Sequence, residues 1–124
     1  MDHSINILIV DDFATMRRIL KNMLKQLGFV KIVEADDGTT ALEQLKTGHF
    51  GLIISDWNMP KMTGLELLKA VKEMEETKDI PFLMVTAEAQ KQNVINAVKA
   101  GVSNYVVKPF TAEQLQDKLN KILK

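Results

Sequence analysis

The chain has 124 residues, 46% of them hydrophobic, which is enough for one domain with a real core and argues against disorder. Lys+Arg and Asp+Glu number 16 each, so the formal net charge is zero, and neither a basic surplus for nucleic acid nor an acidic tail is present. Cysteine is absent, which excludes disulfides and thiolate metal sites and fits a reducing compartment. The start, Met1-Asp2-His3-Ser4, lacks the basic flank and apolar segment of a signal peptide or anchor, and no apolar run nears the ~20 residues that span a bilayer. A cytoplasmic location without membrane attachment is the expectation.

Ile5 to Val10 is a short apolar run rich in β-branched residues, predicted as the first strand, and it ends in Asp11-Asp12. Met16, Ile19, Leu20, Met23, Leu24 and Leu27 then recur at the helical period, with Arg17, Arg18, Lys21 and Lys25 elsewhere on the wheel. Gly28 is placed just past that helix, in the left-handed conformation. Val30 to Ala35 is a weaker second strand, diluted by Lys31 and Glu34. Asp36-Asp37-Gly38 reads as a turn, and Ala41, Leu42 and Leu45 predict a short helix stopping at Gly48.

Gly51 to Ser55 is the third strand, followed by Asp56 and a turn holding Asn58 and Pro60. Thr63 and Glu66 form a capping-box pattern opening a helix that buries Leu67, Leu68 and Val71. Glu73 to Asp79 is a charged loop. Ile80 to Val85 is strand four, ending at Thr86-Ala87. Val94, Ala97 and Val98 mark a fourth helix stopping at Gly101. Asn104 to Val107 is strand five, ending at Lys108-Pro109. The last helix opens at Thr111-Ala112-Glu113-Gln114 and buries Leu115, Leu119, Ile122 and Leu123.

Strict alternation of five strands and five helices implies an α/β fold, a doubly wound parallel sheet with right-handed crossovers. Strands one, three and four are almost continuously apolar, as expected of strands covered on both faces. The polar second strand belongs at an edge. The strand order 2-1-3-4-5 is borrowed from known doubly wound sheets rather than derived from spacing.

In that order the residues following the strands converge: Asp11 and Asp12, Asp56, Thr86 and Lys108. Strands one and three would be neighbours about 4.8 Å apart. An isolated Asp56 could merely cap a turn, and Thr86 or Lys108 alone would carry little meaning. Together the three carboxylates repel, so either a proton binds and raises one pKa, or a divalent cation binds. Hard oxygen ligands without His or Cys select Mg²⁺, or Mn²⁺, over Zn²⁺. A carboxylate, a hydroxyl, a lysine and such a cation suit a phosphoryl group, with a carboxylate as nucleophile.

The whole chain resembles a response-regulator receiver domain, with a flavodoxin-like fold. The resemblance rests on Val10-Asp11-Asp12-Phe13, Thr15-Met16-Arg17-Arg18, Ser55-Asp56-Trp57-Asn58-Met59-Pro60, Val85-Thr86-Ala87-Glu88-Ala89 and Tyr105-Val106-Val107-Lys108-Pro109-Phe110. Within the family these segments are most similar to chemotaxis regulators. The resemblance implies that residues 1–124 are a single receiver without an output domain, and that Asp56 accepts a phosphoryl group from a sensor histidine kinase. It implies Mg²⁺ on Asp12, Asp56 and the backbone carbonyl of Asn58, with Asp11 acting mostly through water. Lys108, expected cis to Pro109, would pair with the phosphate and Thr86 would hydrogen-bond it. Thr86 and Tyr105 would form the switch, and Asn58 and Glu88 would modulate dephosphorylation.

Output by docking is implied, on the flagellar motor switch, through a face including Ala89, Gln90, Lys91, Val94, Tyr105, Val107 and Lys118. Gln90 stands where close relatives tend to carry Lys. A dedicated phosphatase is a further implied partner, and a monomer is expected. On this reading the chain is a regulator, catalysing only its own Mg²⁺-dependent phosphorylation and dephosphorylation. A stand-alone receiver in another phosphorelay is an alternative. A Mg²⁺-dependent phosphohydrolase with an Asp nucleophile is disfavoured, because no Asp-x-Asp follows one strand and no cap domain is present. A flavin or dinucleotide binder is disfavoured because no G-x-G-x-x-G follows the first strand, where Asp11-Asp12 would repel phosphate.

Overall fold

The computed structural model describes residues 2–87 and 91–123. Its elements are β1 (Asn6–Val10), α1 (Ala14–Gln26), β2 (Lys31–Ala35), α2 (Gly38–Thr47), β3 (Leu52–Asp56), α3 (Gly64–Glu73), β4 (Phe82–Thr86), α4 (Lys91–Lys99), β5 (Asn104–Val107) and α5 (Ala112–Ile122). All neighbouring strands pair in parallel, in the order β2-β1-β3-β4-β5. The polar strand β2 is at an edge, as its Lys31 and Glu34 require.

Alternation along the strands divides the core in two. Ile7 and Ile9 of β1, with Leu52 and Ile54 of β3, pack against Leu20 and Leu24 of α1 and Leu115 and Leu119 of α5. Leu8, Val10 and Ile53 face the opposite way, onto Ala41 and Leu45 of α2 and Leu67, Leu68 and Val71 of α3. With both faces covered, every residue of β3 and β4 is buried. Among the described residues, no helix is long and apolar enough to cross a membrane.

Several boundaries differ from expectation, each for a local reason. Helix α2 begins at Gly38, inside the expected turn. The Asp37 carboxylate accepts from the N–H groups of Thr39 and Thr40 at 2.8 and 3.0 Å, while Thr40 Oγ1 accepts from the Asp37 N–H. That reciprocal cap satisfies backbone donors a helix start otherwise leaves open. Strand β4 begins at Phe82 because Pro81 has no N–H; its carbonyl still accepts from Ile53. The expected charged loop after α3 hides Thr77, whose buried hydroxyl donates to the Val71 carbonyl at 2.8 Å. Ile19 and Val98, counted on apolar faces, are largely exposed. They lie at the margins of their helices, and among the described residues the one α4 buries is Ala97. Gly28 has φ +103° beyond α1, the left-handed backbone expected there.

Candidate functional site

Strand register places the site. Val10 pairs with Ser55, so the next residues, Asp11 and Asp56, stand level on adjacent strands. Thr86 pairs with Val107 at the end of β4, which brings Lys108 to the same edge. Asp56 and Thr86 are the last residues of their strands rather than the first of the loops. The segment after β3 folds back at once. Trp57 donates to the Val85 carbonyl at 2.8 Å, and Gly64, opening α3, donates to the Trp57 carbonyl at 2.8 Å. A Cβ on Gly64 would collide with the Asp56 carbonyl oxygen, so only glycine allows so close an approach.

Carboxylate oxygens of Asp11, Asp12 and Asp56 lie within 4.8 Å of one another. Asp11 and Asp56 are buried and Asp12 is exposed, so the cluster opens to solvent on one side. Lys108 Nζ lies 2.9 Å from Asp56 Oδ1 and 3.7 Å from Asp11 Oδ2. The Lys108-Pro109 bond is cis. Asp11 Oδ1 accepts from the Phe13 N–H at 2.9 Å, whereas its buried Oδ2 has no hydrogen-bond partner among the described residues. Burial pushes the Asp11 carboxyl above its ordinary value; the Phe13 N–H opposes the shift, and the Asp56 charge adds to it. Lys108 thus pairs with two of three clustered acids, and among the described residues one buried carboxylate oxygen lacks a hydrogen-bond donor. A hard divalent cation fits both facts, and every available ligand is an oxygen.

Asn58 is exposed on the loop after Asp56, beside the cluster in sequence. Thr86 is buried and lines a small recess with Trp57, Met84, Asn93, Val94, Ala97 and Tyr105. The cavity there is about 10 Å³, at the limit for a single water and far too small for a ring. Tyr105 is half-buried, with Lys118 Nζ 5.2 Å from its ring centroid. Beside it, Val106, Val107, Gln114, Asp117 and Lys118 complete an open groove of about 410 Å³. Of the residues expected on that face, Val94, Tyr105, Val107 and Lys118 are therefore near one another. Glu88, Ala89 and Gln90 lie outside the described residues, as does the side chain of Lys91.

Arg17 was not singled out from sequence. Its Nη1 donates to the Asp11 carbonyl at 2.7 Å and its Nε to Glu34 at 3.0 Å, tying the β1 end to the edge strand. Residues 17 apart carry no shared sequence signal. A charged Glu34 in an otherwise apolar strand was the one available hint.

The receiver-domain model of the response regulators matches residues 7–120. The chain belongs to the response regulator receiver domain family. This receiver is 60% identical over 116 residues to the chemotaxis protein CheY of Pseudomonas aeruginosa, covering 94% of each chain. It is 55% identical over 122 residues to CheY-3 of Vibrio cholerae, covering 98% of this chain and 94% of that one. A solved structure of Vibrio cholerae CheY4 superposes with a TM-score of 0.91 at 35% identity, covering 97% of this receiver and 99% of that chain. The receiver is thus closely related to the CheY chemotaxis response regulators, a group that itself serves as a standard example of this strand order. Receivers bind Mg²⁺ at the acidic pocket, the place where Asp11, Asp12 and Asp56 meet here.

Proposed function

We propose that this receiver is a chemotaxis switch that takes a phosphoryl group on Asp56 from a phosphohistidine of a sensor kinase and signals by docking on the flagellar motor switch. The observation that carries this is Asp56 itself: a buried strand-end carboxylate, 2.9 Å from Lys108 and clustered with two further acids. A carboxylate oxygen of Asp56 attacks phosphorus, a P–O bond forms, the P–N bond breaks, and the histidine nitrogen leaves as the neutral imidazole once protonated. Asp11, Asp12, Asp56 and the Asn58 carbonyl would hold Mg²⁺. When bound, that cation neutralises charge on the transferring group. Lys108 turns from Asp56 to an oxygen of the new phosphate, keeping an ammonium against the added charge. Thr86, at the end of the neighbouring strand, offers its hydroxyl to another phosphate oxygen. Asn58, on the loop after Asp56, would modulate the later hydrolysis of the acyl phosphate, and the family resemblance gives Glu88 the same role.

Acetyl phosphate with Mg²⁺ should label the wild type once, with a bond labile to base and hydroxylamine. Asp56→Asn should take no label. Label retained in Asp56→Asn and mapped to Thr86 or a serine would overturn the assignment.

A further inference from the structure

The junction of β2 and α2, from Ala35 to Gly38, touches both segments that carry the proposed cation ligands. On one side the Asp11 N–H donates to the Ala35 carbonyl at 3.2 Å. On the other side the β3–α3 loop folds onto the start of α2. A Cβ on Gly38 would lie 2.7 Å from Met62 Sδ and 2.8 Å from both Met62 Cγ and Cβ. Rotating the Met62 side chain relieves the first two contacts but not the third, because Cβ is fixed to the backbone. Next to Met62, Lys61 has φ +66°, a left-handed conformation unusual outside glycine, and Met62 N–H donates to the Pro60 carbonyl at 2.6 Å. Such a conformation persists where its surroundings hold it. Here those surroundings include Asp37, whose carboxylate lies 3.6 Å from Lys61 Nζ.

We propose that Gly38, with Asp37, is a positioning element for the cation site: it lets Met62 seat on the α2 start, and so fixes the loop carrying Asn58 relative to Asp11. The proposal rests on the reading of the acidic cluster as a divalent-cation site. No residue from Ala35 to Gly38 would touch the cation; this junction joins its two carriers, one through a backbone hydrogen bond at Ala35 and one through a methionine packed on Gly38. The absent side chain at Gly38 is what lets the two segments meet.

The test is a Mg²⁺ titration followed by the fluorescence of Trp57, the neighbour of Asp56, with denaturant unfolding of each variant in parallel. Gly38→Ala overfills the contact and Met62→Ala empties it; both should weaken Mg²⁺ about tenfold, the low end for residues supporting metal ligands. Leu45→Ala, in the buried far half of α2, should destabilise the fold yet leave Mg²⁺ affinity of the folded protein unchanged. Wild-type affinity in folded Gly38→Ala overturns the proposal; should that variant not fold, wild-type affinity in Met62→Ala does so. An equal loss in Leu45→Ala overturns it too, by showing that general loosening of α2 suffices. A wild type that does not respond to Mg²⁺ overturns the cation site itself, a result distinct from all of these.

Discussion

At the scale of single residues, Asp11 has an uncomfortable place. It is 1% exposed, one of its oxygens has no hydrogen-bond partner among the described residues, and burial raises its pKa. A carboxyl raised on folding stabilises the fold while protonated, and that contribution is lost as pH climbs through the folded value. Ionised Asp11 therefore opposes folding at neutral pH. Asp11→Asn keeps an acceptor for the Phe13 N–H and adds an amide that can donate to Asp56. In metal-free buffer at neutral pH it should be more stable than wild type by about 1 kcal/mol, the low end of the cost of an unpaired buried polar group. The gain should shrink on acidification as wild-type Asp11 takes up its proton. Saturating Mg²⁺ should raise the denaturant midpoint of wild type and leave that of Asp11→Asn nearly unmoved. A variant less stable than wild type without metal would contradict the charge account.

Among the elements, α2 shows how a helix start sets both stability and position. Asp37 is held down to about 2 by the Thr39 hydroxyl first, then by backbone N–H donors and Lys61. Its folded value lies below the ordinary 3.8, so its contribution is present above that value and is lost as pH falls towards 2. The shift corresponds to on the order of 2 kcal/mol. Asp37→Asn keeps a capping oxygen and drops the charge. The wild type should lose its stability advantage over this variant between about pH 4 and 2, measured by urea midpoints. A difference independent of pH would mean that geometry alone, not charge, makes the cap.

The elements also show what was legible beforehand. Apolar runs ending in Asp11, Asp56, Thr86 and Lys108 put strands and site at one edge, because burial on both faces leaves a simple pattern. The reciprocal box at Thr63 was readable because Glu66, three residues on, is the residue type that closes such a box. The start of α2 was not, since its box closes with Thr40 instead, and Gly38-Thr39-Thr40 is a poor helix sequence whose propensity the cap overrides. Ile19 and Val98 were misplaced because periodicity finds the centre of an apolar face better than its margin. The links from Arg17 to Glu34 and from Met62 to Gly38 join residues distant in sequence, and only the fold brings them together.

For the whole molecule the question is how charge added at Asp56 reaches the face around Tyr105. Thr86 and Tyr105 line the same recess, together with Val94 and Ala97 of α4. That recess, at about 10 Å³, has no room for the tyrosine ring while Thr86 keeps its place. Movement of the Thr86 hydroxyl toward a phosphate oxygen would widen it from the site side. Tyr105 could then turn inward, leaving Lys118 and the groove along Val107 rearranged. Such a change is a shift between two packings, limited by how differently each contacts the phosphate. One charge-assisted hydrogen bond, roughly 1.5–3 kcal/mol, allows about a tenfold to hundredfold change in partner affinity. Thr86→Ala should accept label at Asp56 and yet lose most of that gain.

The most direct measurement is the affinity of a flagellar motor-switch protein for this receiver, by calorimetry, with and without acetyl phosphate and Mg²⁺. The account predicts binding about tenfold or more tighter for phosphorylated wild type, no gain for Asp56→Asn, and little for Thr86→Ala. Equal affinity of phosphorylated and unphosphorylated wild type, or a full gain in Asp56→Asn, would contradict it.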